Sequence, residues 1–170
     1  MGRFNIFALF ALAVLSAGGC AGSHRIGLWD GYTDVFDANG RVEDYRIRKG
    51  RPFVVTLLMT REFSDVLFHT PKGKIDRIIE ENPEWEFVFY CKGAPGDSSK
   101  VMDVLSRYGC RFPVIMDPEG RWERENIDGK YAAIGVICDA EGNMLGMSVI
   151  GTSQSFFDSE FAKAKRALGL

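Results

Sequence analysis

Apolar residues recur along the chain in three rhythms. The first is a near-continuous run from Phe4 to Ala17, broken only by Asn5 and Ser16. Arg3 precedes it, and it closes on the small residues Ser16-Ala17-Gly18-Gly19. A positive head, a greasy middle and a small-residue exit are the layout of a secretory signal. The run is shorter than the roughly 20 residues a membrane span needs. The second rhythm is the unalternated strand, Phe53 to Leu58 and Trp85 to Cys91. Such runs suit strands buried on both faces in the middle of a sheet. The third is helical spacing. Ile75, Ile78 and Ile79 share one face over Lys72 to Asn82, and Val101, Val104, Leu105 and Tyr108 share another. Phe157, Phe161, Ala164 and Leu168 form the inward face of a last helix.

Turn and cap residues punctuate these segments. Pro71 suits the first turn of the first helix and Asn82-Pro83 ends it. Ser98 or Ser99 caps the second helix, and Gly109 closes it. Ser155-x-x-Asp158 predicts a capping-box start to the third. Asn39-Gly40 between Tyr32–Phe36 and Arg41–Ile47 predicts a hairpin with a type I′ turn, whose two central residues need positive φ. Asp139 to Asn143 predicts a second hairpin, between Ile134–Cys138 and Met144–Ile150. Phe112 to Met116 reads as a short strand before the turn Asp117-Pro118-Glu119-Gly120. The order is hairpin, β-α-β, α, short β, hairpin, α. A single crossover helix makes the two long strands parallel, and the terminal hairpin adds antiparallel ones. The expectation is an α/β fold with a mixed sheet flanked by helices and an N-terminal β-hairpin extension.

Three segments follow: a signal at residues 1–19, a tether at 20–31 and one domain at 32–170. Removing the signal from the 170 residues leaves 151, enough for one ordinary core without a disulfide or metal. Loss of Arg3 takes the formal charge from −2 to −3. That mild acidity, without a basic stripe, argues against nucleic acid as a partner. Arg46, Arg48, Lys49 and Arg51 lie beside Glu43 and Asp44, so that region reads as a solvated face.

Cys20 directly follows the small residues, and Ala17-Gly18-Gly19-Cys20 resembles the lipobox of bacterial lipoproteins, with Ala17 where leucine is usual. That resemblance implies acylation of Cys20 and a lipid-anchored place at the cell envelope, on the periplasmic side or at the outer membrane of a two-membrane host. Plain secretion with cleavage near Gly19 and an uncleaved span are the alternatives.

With Cys20 acylated, Cys91, Cys110 and Cys138 remain, an odd number for an oxidising compartment. Burial is the ordinary state of such a thiol. Cys91 is the candidate for reactivity, because it ends a parallel strand at the carboxyl edge of the sheet and Lys92 beside it could lower its pKa. A bond between Cys110 and Cys138 is a further option. His69 is a candidate base without an apparent partner. The spacing of histidines and cysteines matches no zinc site, so no metal is expected, and no cofactor either.

Several local sequences, in order, resemble a thioredoxin-like domain of the TlpA/ResA type, which are membrane-tethered thiol–disulfide oxidoreductases. They are Asp37-Ala38-Asn39-Gly40, Lys49-Gly50-Arg51-Pro52-Phe53-Val54-Val55, Phe112-Pro113-Val114-Ile115-Met116-Asp117 and Val136-Ile137-Cys138-Asp139-Ala140-Glu141-Gly142. The resemblance covers roughly Thr33 to Leu170 and implies a W-C-x-x-C motif after the central strand, with a proline five residues beyond. If Pro71 is that proline, the motif reads Phe63-Ser64-Asp65-Val66, without a thiol. The cis-proline expected before the terminal hairpin is likewise missing from Lys130-Tyr131-Ala132-Ala133-Ile134. Neither phenylalanine nor valine can exchange disulfides.

Phe63, Phe68 and Tyr131 would surround the former dithiol site, either as an apolar patch for a partner or as core closed over it. Three functions follow from this reading. The first is a redox-inactive, lipid-anchored binding or assembly module with an envelope protein as partner. The second is a single-thiol oxidoreductase or peroxidase using Cys91. The third is a structural envelope lipoprotein.

Overall fold

The computed structural model describes residues 25–94, 96–128, 133–151 and 153–170, without the side chains of Asp65 and Phe68. The signal, Cys20 and Tyr131 lie outside the described residues. The elements are β1 (Val35–Asp37), β2 (Gly40–Arg41), β3 (Phe53–Met59), α1 (Thr60–His69), α2 (Lys74–Glu81), β4 (Glu86–Lys92), α3 (Ser98–Tyr108), β5 (Val114–Met116), α4 (Arg121–Asn126), β6 (Ala133–Cys138), β7 (Met144–Met147) and α5 (Gln154–Leu168). The strands form one seven-stranded sheet in the order β2-β1-β5-β4-β3-β6-β7. β3, β4 and β5 are parallel, while β1, β6 and β7 run antiparallel to their neighbours. The α/β class and the mixed sheet are as the sequence predicts.

The two unalternated runs are the two central strands. Successive side chains leave opposite faces. Val54 and Leu58 therefore join one core with Phe87, Phe89 and Cys91, and Phe53, Val55 and Leu57 join another with Val88 and Tyr90. The first face carries α1, α2, α3 and α5 through Phe63, Ile75, Leu105, Phe157 and their neighbours. Phe161 sits 4.8 Å from Trp85, 5.8 Å from Phe87 and 5.4 Å from Phe157, ring centre to ring centre. Burying one such ring contributes about 2–3 kcal/mol. Among the described residues, the second face is covered by α4 and the irregular chain before β3, through Trp122, Ile26 and Ile47.

Four expectations need correction. The crossover between β3 and β4 holds two helices, because β3 passes into α1 with no intervening loop. α1 repeats Phe63, Val66 and Leu67 at helical spacing toward the core. α4 follows the predicted turn at Asp117–Gly120. The first hairpin is shorter than predicted and is not type I′, since no residue but glycine has positive φ among the described ones. Asp37 closes that turn, its Oδ1 accepting from the Asn39 amide at 2.7 Å and the Gly40 amide at 3.1 Å. Finally, residues 25–31 are not a free tether: Ile26 is 3% exposed and packed in the second core.

Two sites on the first face bear on stability. A Cβ at Gly135 would lie 2.1 Å from the Ser148 carbonyl oxygen and 2.7 Å from Val149 Cα, because the chain beyond β7 crosses directly over β6. Thr56, opposite Gly135 and Phe89 on the central strand, is 1% exposed, and its hydroxyl finds no hydrogen-bond partner. A buried, unpaired hydroxyl is a net cost. Thr56→Val keeps the shape and should raise stability by about 1 kcal/mol. The check is a higher urea midpoint at an unchanged slope, and a midpoint that falls would show that the hydroxyl is used.

Candidate functional site

At the carboxyl edge of β3 and β4 the two chains diverge, β3 into α1 and β4 through Gly93 toward α3. A cleft of about 630 Å³ opens between them, lined by Met59, Thr60, Ser64, Gly93, Lys100 and Pro118, among others. Crevices at this edge are where α/β sheets ordinarily bind ligands.

Asp97 organises the cleft floor. Its Oδ2 accepts from the Thr60 hydroxyl at 3.1 Å and the Ala94 amide at 3.0 Å, and Oδ1 accepts from Lys100 Nζ at 2.6 Å. The Lys100 bond, with the Ala94 amide, holds this carboxyl below the usual carboxylate range. Gly93 makes the arrangement possible: a Cβ there would stand 2.3 Å from Thr60 Oγ1 and 3.0 Å from Asp97 Oδ2. Asp97 is the N-cap position of α3, but its side chain caps none of that helix's backbone amides; it bonds across the cleft to Thr60 and to the Lys100 side chain in the first turn. The signal available was an aspartate between a glycine turn and two serines. Thr60 carried none, since it lies inside what reads as strand and loop.

Cys91 sits just beneath this floor, with Sγ 3.8 Å from Thr60 Oγ1. It is 0% exposed, and burial pushes its thiol up from 9.0 to about 12, with the Asp97 and Glu62 charges adding to the effect. Lys92 does not activate it. Strand alternation turns Lys92 to the other face, where its ammonium pairs with Glu123 of α4, itself 3% exposed. Gly120, at φ +61°, leaves that path clear, since a Cβ there would lie 2.8 Å from Lys92 Cδ. The Cys110–Cys138 bond does not form: Cys110 belongs to the first core and Cys138 to the second, with the sheet between them, and both thiols are free.

The degenerate motif positions separate along α1. Phe63, 1% exposed, and Val66 point into the first core, so the register counted from Pro71 puts both thiol positions inside the protein. Phe63 therefore packs as core and is no part of an exposed patch. Ser64 lines the cleft, together with Thr60 and Arg61. The side chains of Asp65 and Phe68, and all of Tyr131, fall outside the described residues. His69 is the exposed last residue of α1, at the opposite end of that helix from the cleft. Among the described residues, no group of three His, Cys, Asp or Glu side chains could hold a metal, and no helix is long and apolar enough to cross a membrane.

No protein-family model matches the sequence, and no curated protein is significantly similar to it. Solved structures share its shape. The solution structure of a proposed protein disulfide isomerase from Bacteroides thetaiotaomicron is 16% identical, with a TM-score of 0.54 over 83% of this chain and 89% of that one. A thiol-disulfide oxidoreductase from Bacteroides fragilis is 8% identical, with a TM-score of 0.51 over 76% of this chain and 96% of that one. The solution structure of a thioredoxin-like protein in its oxidised form is 10% identical, with a TM-score of 0.55 over 84% of this chain and 95% of that one. Identities this low speak to architecture alone, and on that ground the chain has a thioredoxin-like fold.

Proposed function

We propose that this protein is a lipid-anchored binding module of the cell envelope, in which the cleft above β3 and β4 docks a protein partner and no thiol takes part. The observation that carries the reading is the state of Cys91. It is the cysteine nearest the cleft, yet it is wholly buried beneath Thr60. The thiolate is the reactive form of cysteine. Burial pushes the pKa of Cys91 from 9.0 up to about 12, so less of it is thiolate at neutral pH than in an exposed cysteine. α1, which begins at the same edge, has no cysteine from Thr60 to His69. What remains there is a cleft of ligand size with Arg61 and Lys100 at its rim, suited to recognition more than to electron transfer. Anchoring rests on the sequence from Arg3 to Cys20.

The acylated protein tests this directly. Treated with an aromatic disulfide reagent at pH 7.5, the native protein should show no thiol reacting at the rate of an exposed cysteine. After guanidinium denaturation three should react, matching Cys91, Cys110 and Cys138. A photocrosslinking side chain at Ser64, in intact cells, should yield a discrete protein adduct that the same group at exposed Glu81 does not. Dithiol-dependent reduction of insulin that disappears in Cys91→Ser would sink the reading, as would the absence of any adduct from the cleft.

A further inference from the structure

The chain before β1 is fixed to the domain from Ile26 onward. The Ile26 amide donates to the Gly142 carbonyl at 2.9 Å, and a Cβ at Gly142 would lie 2.3 Å from the Ile26 carbonyl oxygen. The Gly27 amide donates to Asn126 Oδ1, and the Trp122 indole donates to the Gly27 carbonyl at 2.9 Å. The Trp29 amide and carbonyl both bond the Tyr90 hydroxyl, at 3.1 and 2.8 Å. The Arg121 guanidinium covers the Trp29 ring at 5.8 Å. Residues 26–29 are a strap, held at Ile26 by the β6–β7 turn, at Gly27 by α4 and at Trp29 by β4 and α4.

The place where the strap begins is defined by the sheet. Gly142 belongs to the turn joining β6 to β7. β6 runs antiparallel to β3 with Cys138 opposite Phe53, so this turn lies at the amino end of β3. The cleft lies beyond Met59, at the carboxyl end. Seven residues of strand separate the two edges by about 20 Å. Between Cys20 and Ile26 stand only Ala21 to Arg25, a leash of at most about 21 Å when fully extended. A tether running free to residue 31 would have reached about twice as far.

We infer that the domain stands on the bilayer with the Asp139–Asn143 turn toward the lipid and the cleft facing away from it. This rests on the anchored reading of Cys20. The short leash favours this orientation, because it would have to run fully extended to bring the cleft edge to the bilayer; surface charge does not, because Arg51 and Lys49 at that edge are accompanied by Asp139, Glu141 and Glu84. The cleft then serves a partner in the aqueous space or on an opposing surface. A membrane protein whose binding segment lies flush with the same leaflet is disfavoured as its partner, since reaching it would need the leash fully stretched.

The test uses the acylated full-length mature protein bound to phosphatidylcholine vesicles that carry an acceptor dye on the headgroups. A donor dye is attached at Glu141→Cys, in the turn, or at Lys100→Cys, at the cleft rim; the buried native thiols are left unlabelled. Energy transfer should be several-fold stronger from position 141 than from position 100. A twelve-residue Gly-Ser insertion after Gly22 should bring the two values close together. Equal transfer from both positions of the vesicle-bound protein would overturn the orientation while leaving the anchor intact. Protein that fails to float with the vesicles would overturn the anchored reading, and the orientation with it.

Discussion

Gly135→Ala should destabilise the domain by on the order of 3 kcal/mol or more, lowering its melting temperature by about 10 °C. The added methyl would meet the Ser148 carbonyl oxygen at 2.1 Å and the Ser148 carbonyl carbon at 2.5 Å. These are main-chain atoms. Ser148 is tied to the same glycine by its amide, which donates to the Gly135 carbonyl at 3.0 Å. The crossing segment also buries Val149 and Ile150, so it can retreat only by opening the first core. Gly135 does not have positive φ, so contact and not backbone strain carries the whole effect. Gly146→Ala is the internal control. Its methyl would meet a Glu160 carboxylate oxygen at 3.3 Å, the far end of a flexible side chain, and the change should be close to neutral. Equal melting temperatures for the two variants would refute the close crossing.

Lys92→Met should cost about 3 kcal/mol at neutral pH. The methionine keeps most of the aliphatic stem in place, so the loss is mainly the ammonium beside Glu123. Glu123 is buried in α4, and removing the Lys92 ammonium takes a charge partner from a carboxylate in a low-dielectric setting. Glu123→Gln on its own should be milder, and combining the two should recover part of the loss. A coupling energy of about 2 kcal/mol is expected from the double-mutant cycle by chemical denaturation. Strict additivity would mean that the pair contributes nothing specific. Arg121–Glu125, an exposed i,i+4 pair on the same helix, should by contrast give less than about 0.5 kcal/mol.

The sheet was legible wherever burial was two-sided or spacing was helical. β3, β4, α3 and α5 lie within a residue or two of their predicted spans, because runs of Val, Phe and Leu and the i, i+3, i+4 faces have one packing solution each. α1 was not legible. β3 turns into helix at Met59–Thr60 with neither glycine nor proline to mark the change, and no side chain caps the helix start. α4, six residues long, is too short for periodicity to show, and its start depends on Asp117 accepting from the Arg121 and Trp122 amides at 2.8 and 2.9 Å. The strap had a signal that went unused: Ile26, Leu28 and Trp29 are too apolar for a solvated linker. At the site, the sequence located Cys91 correctly at the end of a central strand. It could not give the strand phase, and one position of phase decides whether Cys91 or Lys92 enters the first core. Without α1, the sequence leaves Phe63 open between an exposed patch and core; the helix settles it as core.

The strap also sets an order of events. Gly27 and Asn126 bond across ninety-nine positions of sequence, and Ile26 reaches further still, to Gly142. The first residues of the domain to leave a ribosome or a translocation channel are thus sealed by some of the last. Contacts of such long range are slow to form, because the loop must be closed before it is rewarded. Until then the α4 side of the sheet stays uncovered, and a nascent chain in transit has that surface to hide from its neighbours.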